Sequence, residues 1–501
     1  MRRLFRGLDR PPDPRYDGVI IGAGVGGLVA ANLLARQGLK ILLLDQHYMV
    51  GGYCSTFRRG HYVFDAATHF YPLLGNPDTL TGRLLQELGV KTGWVKMDPV
   101  DTFHLPDGSR FEVPAEFETY LPKLKAEFPE ESAALDGFFA TVREVYLHGL
   151  LLYFKGRRVE SSPRFTELNR LTLKQALDRW FKSEKLKLIL TADCPHWGSP
   201  PSRISFVFDS MLRLSYFLGN YYPAGGSQAF ADELARCFEE QGGHLLLSAQ
   251  ARRIVVEDGR ARGVEVEMLR GRVKPQYPGG TIQAGFVISN ADLLQTCEHL
   301  LGPEHLAPGT LERLQGLRTT FPCWLTHLGL QGVSAATLEE VQGYYWESYD
   351  TDRVGLDALR FKLFAPTVYE PAMAPPGEQV LIVQKVQEQR YEEIADWPAH
   401  KRQVERFIFE NLERVLPGIG KHIVVSTSAS AQTSYRFTLN LRGAMLGWEM
   451  SPDQLGPNRP AQELGIQDLH CVGHWTQPGG GITPVIVSAQ QAAAKVLAGR
   501  G

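Results

Sequence analysis

The stretch over residues 17–56, DGVIIGAGVGGLVAANLLARQGLKILLLDQHYMVGGYCST, leaves a chain few choices of fold. Val19-Ile20-Ile21 is an apolar run too short for a helix and stopped at once by glycine, so it reads as a buried parallel strand. Gly22, Gly24 and Gly27 follow in G-x-G-x-x-G spacing, with Ala23 and Gly26 among them. The first glycine permits a tight strand-to-helix turn, the second lets backbone approach a pyrophosphate, and the third lets the new helix pack closely on the sheet. Leu28, Ala31, Leu34 and Ala35 then recur at helical spacing, and Gly38 closes the helix. A second buried strand over 41–44 ends on Asp45, followed by Gln46. Asp45 lies 23 residues after Gly22, where a βαβ unit presents an acid to a ribose hydroxyl. A lone glycine motif is weak, but strand, glycines, helix, second strand and terminal acid in order predict a dinucleotide site.

A chain of 501 residues can build two or more cores, and 44% hydrophobic with 22% charged residues describes a soluble globular protein. A net charge of −2 gives no global basis for nucleic-acid binding. Cys54, Cys194, Cys237, Cys297, Cys323 and Cys471 include no C-x-x-C pair, which predicts unpaired thiols in a reducing, cytoplasmic compartment and no zinc or other metal site. No stretch reaches the roughly 18 apolar residues that span a bilayer. Residues 1–15 carry five arginines and Pro11, Pro12 and Pro14 without a signal-peptide core. They read as a disordered basic leader, with contact to anionic lipid as the alternative.

After Asp45 come Gly51-Gly52, then Cys54-Ser55-Thr56 and a strand pattern over 61–64. An NAD-type domain would continue with another βα unit. This chain turns instead into GGYCSTFRRGHYVFDAATHFYPLLG, a run that resembles the FAD-dependent phytoene desaturase, carotenoid isomerase and retinol saturase superfamily. The resemblance implies an α/β fold, with a discontinuous, Rossmann-like FAD-binding domain of glutathione-reductase type and an inserted α+β substrate domain. On that reading 16–105, 216–300 and 436–501 bind FAD, and 106–215 and 301–435 bind substrate. The glycine pair would lie against the pyrophosphate side of FAD. Gly51, Gly52, Ser55 and Thr56 thus join Gly22, Ala23, Gly24, Gly26, Gly27, Asp45 and Gln46 as implied cofactor contacts.

HLPDGSRFEVP reads as a hairpin about Asp107-Gly108, and helical patterns follow over 116–128, 132–153 and 172–190. YLHGLLLYFKGRR at 146–158 is read as a core helix with a solvated end, or alternatively as an interfacial helix that draws an insoluble substrate from a membrane. YYPAGG at 221–226 leads into a helix over 227–241, then a strand, a hairpin about Asp258-Gly259, and GFVISNAD. In the family this ribbon lies near the adenine end; Ala251 stands where a valine is usual. Strands around Pro- and Gly-rich turns between 323 and 384 suggest a mixed sheet, which in related flavoproteins walls the substrate cavity.

The C-terminal LHCVGHWTQPGGGITPVIVSAQQAAAKVL reads as a short strand ended by Gly473, a loop at Gly479-Gly480-Gly481, and a helix starting near 484 with Thr483 as its cap and Pro484 as its first residue. Its amide dipoles would face the reduced flavin ring at N1 and the C2 carbonyl. The resemblance carries cofactor contact to Gly473, His474, Gly480, Gly481 and Ile482, although relatives usually have an acid where this chain has His474.

No nucleophilic Ser-His-Asp set, metal cluster or P-loop is present in the sequence. Asp65 and His69, in FDAATHF, are the acid/base candidates, with Tyr435 and Arg436 behind them. The leading expectation is an FAD-dependent oxidoreductase on a long apolar polyene, peripheral to a membrane. A carotenoid desaturase would pass electrons to oxygen or a quinone; an isomerase or a retinol-saturase-like reductase would use reduced FAD. A flavin amine oxidase and a non-enzymatic prenyl-lipid escort remain the readings from other classes.

Overall fold

The computed structural model describes residues 7–155, 162–353, 355, 358–386 and 390–500. Its first sheet runs Ala249–Glu257, Arg260–Met268, Gly279–Ser289, Arg15–Ile21, Ile41–Asp45, His244–Leu247, with Leu469–Cys471 beside the end of Gly279–Ser289. Strands Arg15–Ile21, Ile41–Asp45, His244–Leu247, Gly279–Ser289 and Leu469–Cys471 are mutually parallel. Their apolar runs are continuous because both faces are buried. Ile20, Leu43 and Ile288 face the helices Val25–Ala35, Ser227–Glu240 and Ile482–Ala498, while Val19, Leu44 and Val287 face the side of the antiparallel ribbon. The ribbon turns at Asp258 and Gly259, with φ of 49° and 71°, as the D-G signal predicts.

The second sheet runs Ile423–Ala429, Cys323–Gln331, Glu378–Val386, Leu359–Phe364, Gly343–Trp346, Asp101–His104, Arg110–Val113. Period-2 alternation splits its side chains: Leu328, Leu381 and Leu363 pack under helix Trp397–Val415, while Leu325, Ile382 and Phe364 face the first sheet's loops. The division drawn at residue 105 falls late, because strand Asp101–His104 pairs in parallel with Gly343–Trp346 and so belongs to this sheet. A helical layer (Phe117–Glu127, Ser132–Gly149, Leu173–Trp180, Glu184–Ile189 and Phe206–Phe217) closes a third core around Phe138, Val142, Leu177 and Phe206.

Several expected elements differ locally. The helix predicted over 172–190 is two helices, because Phe181 leaves helical φ/ψ and Ser183 caps a new start by accepting from Leu186 N. The one predicted over 132–153 is α-helical only to Gly149 and continues as the π-turn Leu150–Phe154. The leader is not loose from residue 7 onward. Leu8 N donates to Leu245 O, Gln283 N to Pro14 O, and Asp13 pairs with Lys40 at 2.8 Å. Its arginines at 2, 3 and 6, and Arg157 and Arg158 of the 146–158 segment, lie outside the described residues.

Candidate active site

All five parallel strands release their chains at one edge, after Ile21, Asp45, Leu247, Ser289 and Cys471. Ligands in open α/β sheets bind beyond these carboxyl ends. Here that edge borders a cavity of about 1000 Å³. Two helices begin on it. Helix Val25–Ala35 has Gly24 as N-cap and helix Ile482–Ala498 has Gly481, and neither receives a side-chain cap. Their first-turn N–H groups are thus free of side-chain competitors where Gly24, Val25, Gly26, Gly481, Ile482 and Thr483 line the cavity.

The glycines have separate duties. Gly22, at φ +98°, turns the strand, and Gly27 lets the helix pack, since a Cβ there would sit 2.0 Å from Gly22 O. At Gly26 a Cβ would lie 2.6 Å from Asn290 Oδ1 and 3.0 Å from Val485 Cγ1, so only glycine lets the two helix starts approach each other. Gly51 N donates to Ala23 O at 2.8 Å, which lays the second glycine pair along the first loop. A Cβ on Gly480 would fall 2.3 Å from Leu446 O. This cradle of bare backbone and two helix starts fits two parts of a dinucleotide, an anionic pyrophosphate and a polar ring.

Of the residues implied for the cofactor, Gly22, Gly24, Gly26, Asp45, Gln46, Gly51, Gly52, Ser55, Thr56, Ala251, Gly473, His474, Gly481 and Ile482 line the cavity. Ala23, Gly27 and Gly480 stand behind that wall and shape it. Asp45 has its two oxygens engaged by backbone, accepting from Ala23 N and His47 N at 2.7 Å each, and burial raises its pKa to about 6. It braces the loops as well as facing the cavity. Thr483 is not the helix cap expected of it: the helix starts two residues earlier than 484, at Ile482, and the Thr483 hydroxyl donates to Pro72 O at 3.1 Å. His474 lines the cavity, with burial and then the nearby charge of Arg459 holding its pKa down to about 3.

The acid/base candidates sit elsewhere. Asp65 is fully buried, accepts from Ser227 N at 3.0 Å and from the Tyr222 hydroxyl, and so ties strand Tyr62–Asp65 to the start of helix Ser227–Glu240. His69 is also fully buried, its Nε2 3.2 Å from Gln384 Oε1 and its ring stacked on Phe364 at 4.7 Å. Neither lines the cavity; a chain stretch reading FDAATHF does not show which of its polar residues turns inward. Tyr435 and Arg436 also lie off the cavity wall, on helix Ala431–Thr438.

Other residues take the places the sequence left unassigned. Asn290 sits at the centre of the cradle: its Nδ2 donates to Gly22 O at 3.2 Å, and Cβ atoms on Gly26 or Gly473 would collide with its Oδ1. An amide directly after a buried strand, in ISNAD, was its one local signal. His196, His327 and Gln384 also line the cavity, brought there from a helical turn and two strands far apart in sequence. Apart from those three, the part of the cavity beyond the cradle is mainly apolar, walled by Leu150, Tyr153, Trp197, Phe208, Met211, Leu212, Leu325, Met445 and Leu455.

Residues 25–497 match the family described as flavin containing amine oxidoreductase. The chain belongs to that family. It is an FAD-dependent oxidoreductase. The chain is 27% identical over 499 residues to a zeta-carotene-forming phytoene desaturase of Myxococcus xanthus, covering 94% of this chain and 92% of that one. It is 26% identical to the chloroplastic prolycopene isomerase of Daucus carota, over 97% of this chain and 80% of the relative. It is 29% identical to the human all-trans-retinol 13,14-reductase, over 68% of this chain and 57% of that protein. Among solved structures, putrescine oxidase with bound putrescine superposes with a TM-score of 0.67 at 16% identity, over 97% of this chain and all of that one (100%). An oxidoreductase from Methanosarcina mazei gives 0.65 at 16%, over 95% and 99%. At those identities the structures share the fold. No metal-holding cluster of His, Cys, Asp or Glu occurs among the described residues, and no described helix is long and apolar enough to cross a membrane.

Proposed function

We propose that this flavoenzyme acts on a long apolar polyene, with carotenoid desaturation as the leading reaction and isomerisation or alkene reduction as the alternatives. Bound FAD supplies the hydride acceptor or donor. The observation that carries the reading is the largely apolar half of the cavity, which continues from the cradle and, among the described residues, holds no carboxylate. Of the acids on the wall, Asp45 and Asp292 are bonded to backbone amides at the cradle, and Asp78 is exposed at the rim. An ammonium substrate would find no counter-charge there, whereas a conjugated hydrocarbon gains from aromatic and aliphatic walls alone. The named relatives act on phytoene, prolycopene and retinol, which supports the same class.

Access from a bilayer belongs to this proposal. Leu80 and Leu218 line the cavity yet are 38% and 42% exposed, and Leu147, next to the lining residue Tyr146, is 58% exposed. Such an apolar rim suits peripheral contact with lipid, from which an insoluble polyene enters. In the described part of the 146–158 segment, Tyr146, Leu150, Tyr153 and Phe154 wall the cavity and Leu147 is exposed.

The test is an absorption spectrum of the FAD-loaded protein under anaerobic conditions, before and after a phytoene- or lycopene-type polyene is added in liposomes. Flavin bands that bleach on addition identify a desaturase, which then needs oxygen or a quinone to turn over. Conversion only after prereduction identifies an isomerase or a reductase. No reaction with polyenes in either redox state, together with bleaching by amines, would overturn the proposal.

A further inference from the structure

Arg459 is a buried cation without a counter-ion. Its side chain is 1% exposed, and each of its five N–H donors goes to a neutral acceptor. Nε donates to Thr476 O at 3.1 Å, Nη1 to Glu449 O at 3.2 Å and Met450 Sδ at 3.3 Å, and Nη2 to Trp448 O at 3.2 Å and to His474 O. The nearby carboxylate of Glu449 is used by Arg318 and Arg203, at 2.9 and 3.3 Å. Among the described residues no carboxylate lies within ion-pair distance of Arg459. Four carbonyls and a thioether satisfy its donors but leave its net charge, and a buried charge of this kind is costly unless something compensates it.

The place of that charge is informative. Arg459 holds the carbonyls of His474 and Thr476, within the loop that supplies His474, Trp475 and Pro478 to the cavity wall. A Cβ on Gly479 would lie 3.8 Å from its Cζ. The same loop ends at Gly481, where helix Ile482–Ala498 begins with no side-chain cap. A full positive charge and the positive end of a helix dipole therefore bear on one end of the FAD site, and they repel each other unless negative charge arrives between them. We propose that Arg459 is a positioning residue for the cofactor whose charge stabilises the negative charge that FAD gains on reduction, and so sets the flavin's reduction potential. The proposal rests on the FAD site and holds whichever substrate reduces it.

The experiment compares Arg459→Gln and Arg459→Lys with the wild-type holoenzyme, reading the flavin's midpoint potential by anaerobic reductive titration against reference dyes. In Arg459→Gln the potential should fall so that, at a fixed potential, the reduced fraction relative to oxidised drops at least tenfold, about 30 mV for a two-electron couple. Sulfite, which places negative charge on oxidised flavin when it adds, should bind at least tenfold more weakly. Arg459→Lys keeps the charge but loses the planar fork. It should hold a potential near wild type while melting at a lower temperature. A potential unmoved in Arg459→Gln, or moved equally in both variants, would overturn the proposal and leave Arg459 a packing residue. If Arg459→Gln cannot retain FAD, retention by Arg459→Lys at the wild-type potential supports the proposal, and loss of FAD by both variants overturns it.

Discussion

Replacing Asp65 by asparagine separates a structural brace from a proton-transfer group. The carboxyl is 0% exposed, and burial lifts its pKa from 3.8 to about 6 against the lowering effect of its bonds from Tyr222 and Ser227. At 1.36 kcal/mol per pH unit, that rise disfavours the ionised native state by about 3 kcal/mol. The native state holds this proton more tightly than the unfolded chain does. Its stabilisation is therefore complete below pH 3.8 and is lost as pH rises through about 6, with about 2 kcal/mol of the loss falling between pH 4.5 and 7. Asparagine has no proton to lose, keeps an oxygen for Ser227 N and offers its amide to the Tyr222 oxygen. Asp45 and Asp292, which burial also raises to about 6, titrate in both proteins and cancel in the difference. Urea unfolding of the holoenzyme across that pH range should show the wild type losing about 2 kcal/mol relative to Asp65→Asn. The rate of flavin reduction by substrate should stay within tenfold of wild type, where loss of a true acid or base costs about 10²–10⁴-fold. Parallel stability curves, or a folded variant slowed a hundredfold, would refute the assignment of Asp65 as a brace.

Gly27→Ala puts a methyl group 2.0 Å from Gly22 O, so the turn must open at about 1–3 kcal/mol; the expected result is a lower melting temperature and less FAD per chain after purification. Asn290→Ala removes the 3.2 Å bond to Gly22 O at the centre of the cradle, worth about 1 kcal/mol, and should weaken FAD binding about fivefold in a titration of the apoprotein. Leu212→Glu sets an unpaired carboxylate on the apolar wall. Polyene binding should fall by about tenfold or more with FAD content unchanged, and undiminished binding would show that the polyene lies elsewhere.

The sequence showed the βαβ unit and its glycine spacing because each of those signals is local. A Gly at φ > 0, an apolar strand and a 3.6-residue repeat leave their marks within a few positions, and the D-G hairpins at Asp107 and Asp258 are legible for the same reason. Boundaries were less legible where capping competed with periodicity. Phe181 broke a run that the apolar spacing would have carried on and Ser183 capped a new start, and Gly481 rather than Thr483 opened the last helix.

The interior of the site was a different matter. FDAATHF contains an acid and a histidine, and only the packing of helix Ser227–Glu240 and strand Glu378–Val386 against that loop turned both away from the cavity, leaving His196, His327 and Gln384 to face it. Arg459 carries no local sign of burial, yet it came to rest beneath the C-terminal glycine loop with five neutral partners. What the chain determined alone is where backbone can come close to a dinucleotide, since that depends on conformations that neighbouring residues allow. Which side chains surround the reacting atoms, and which charges go unpaired, was decided by tertiary structure, because burial and electrostatics are set by contacts between segments hundreds of residues apart.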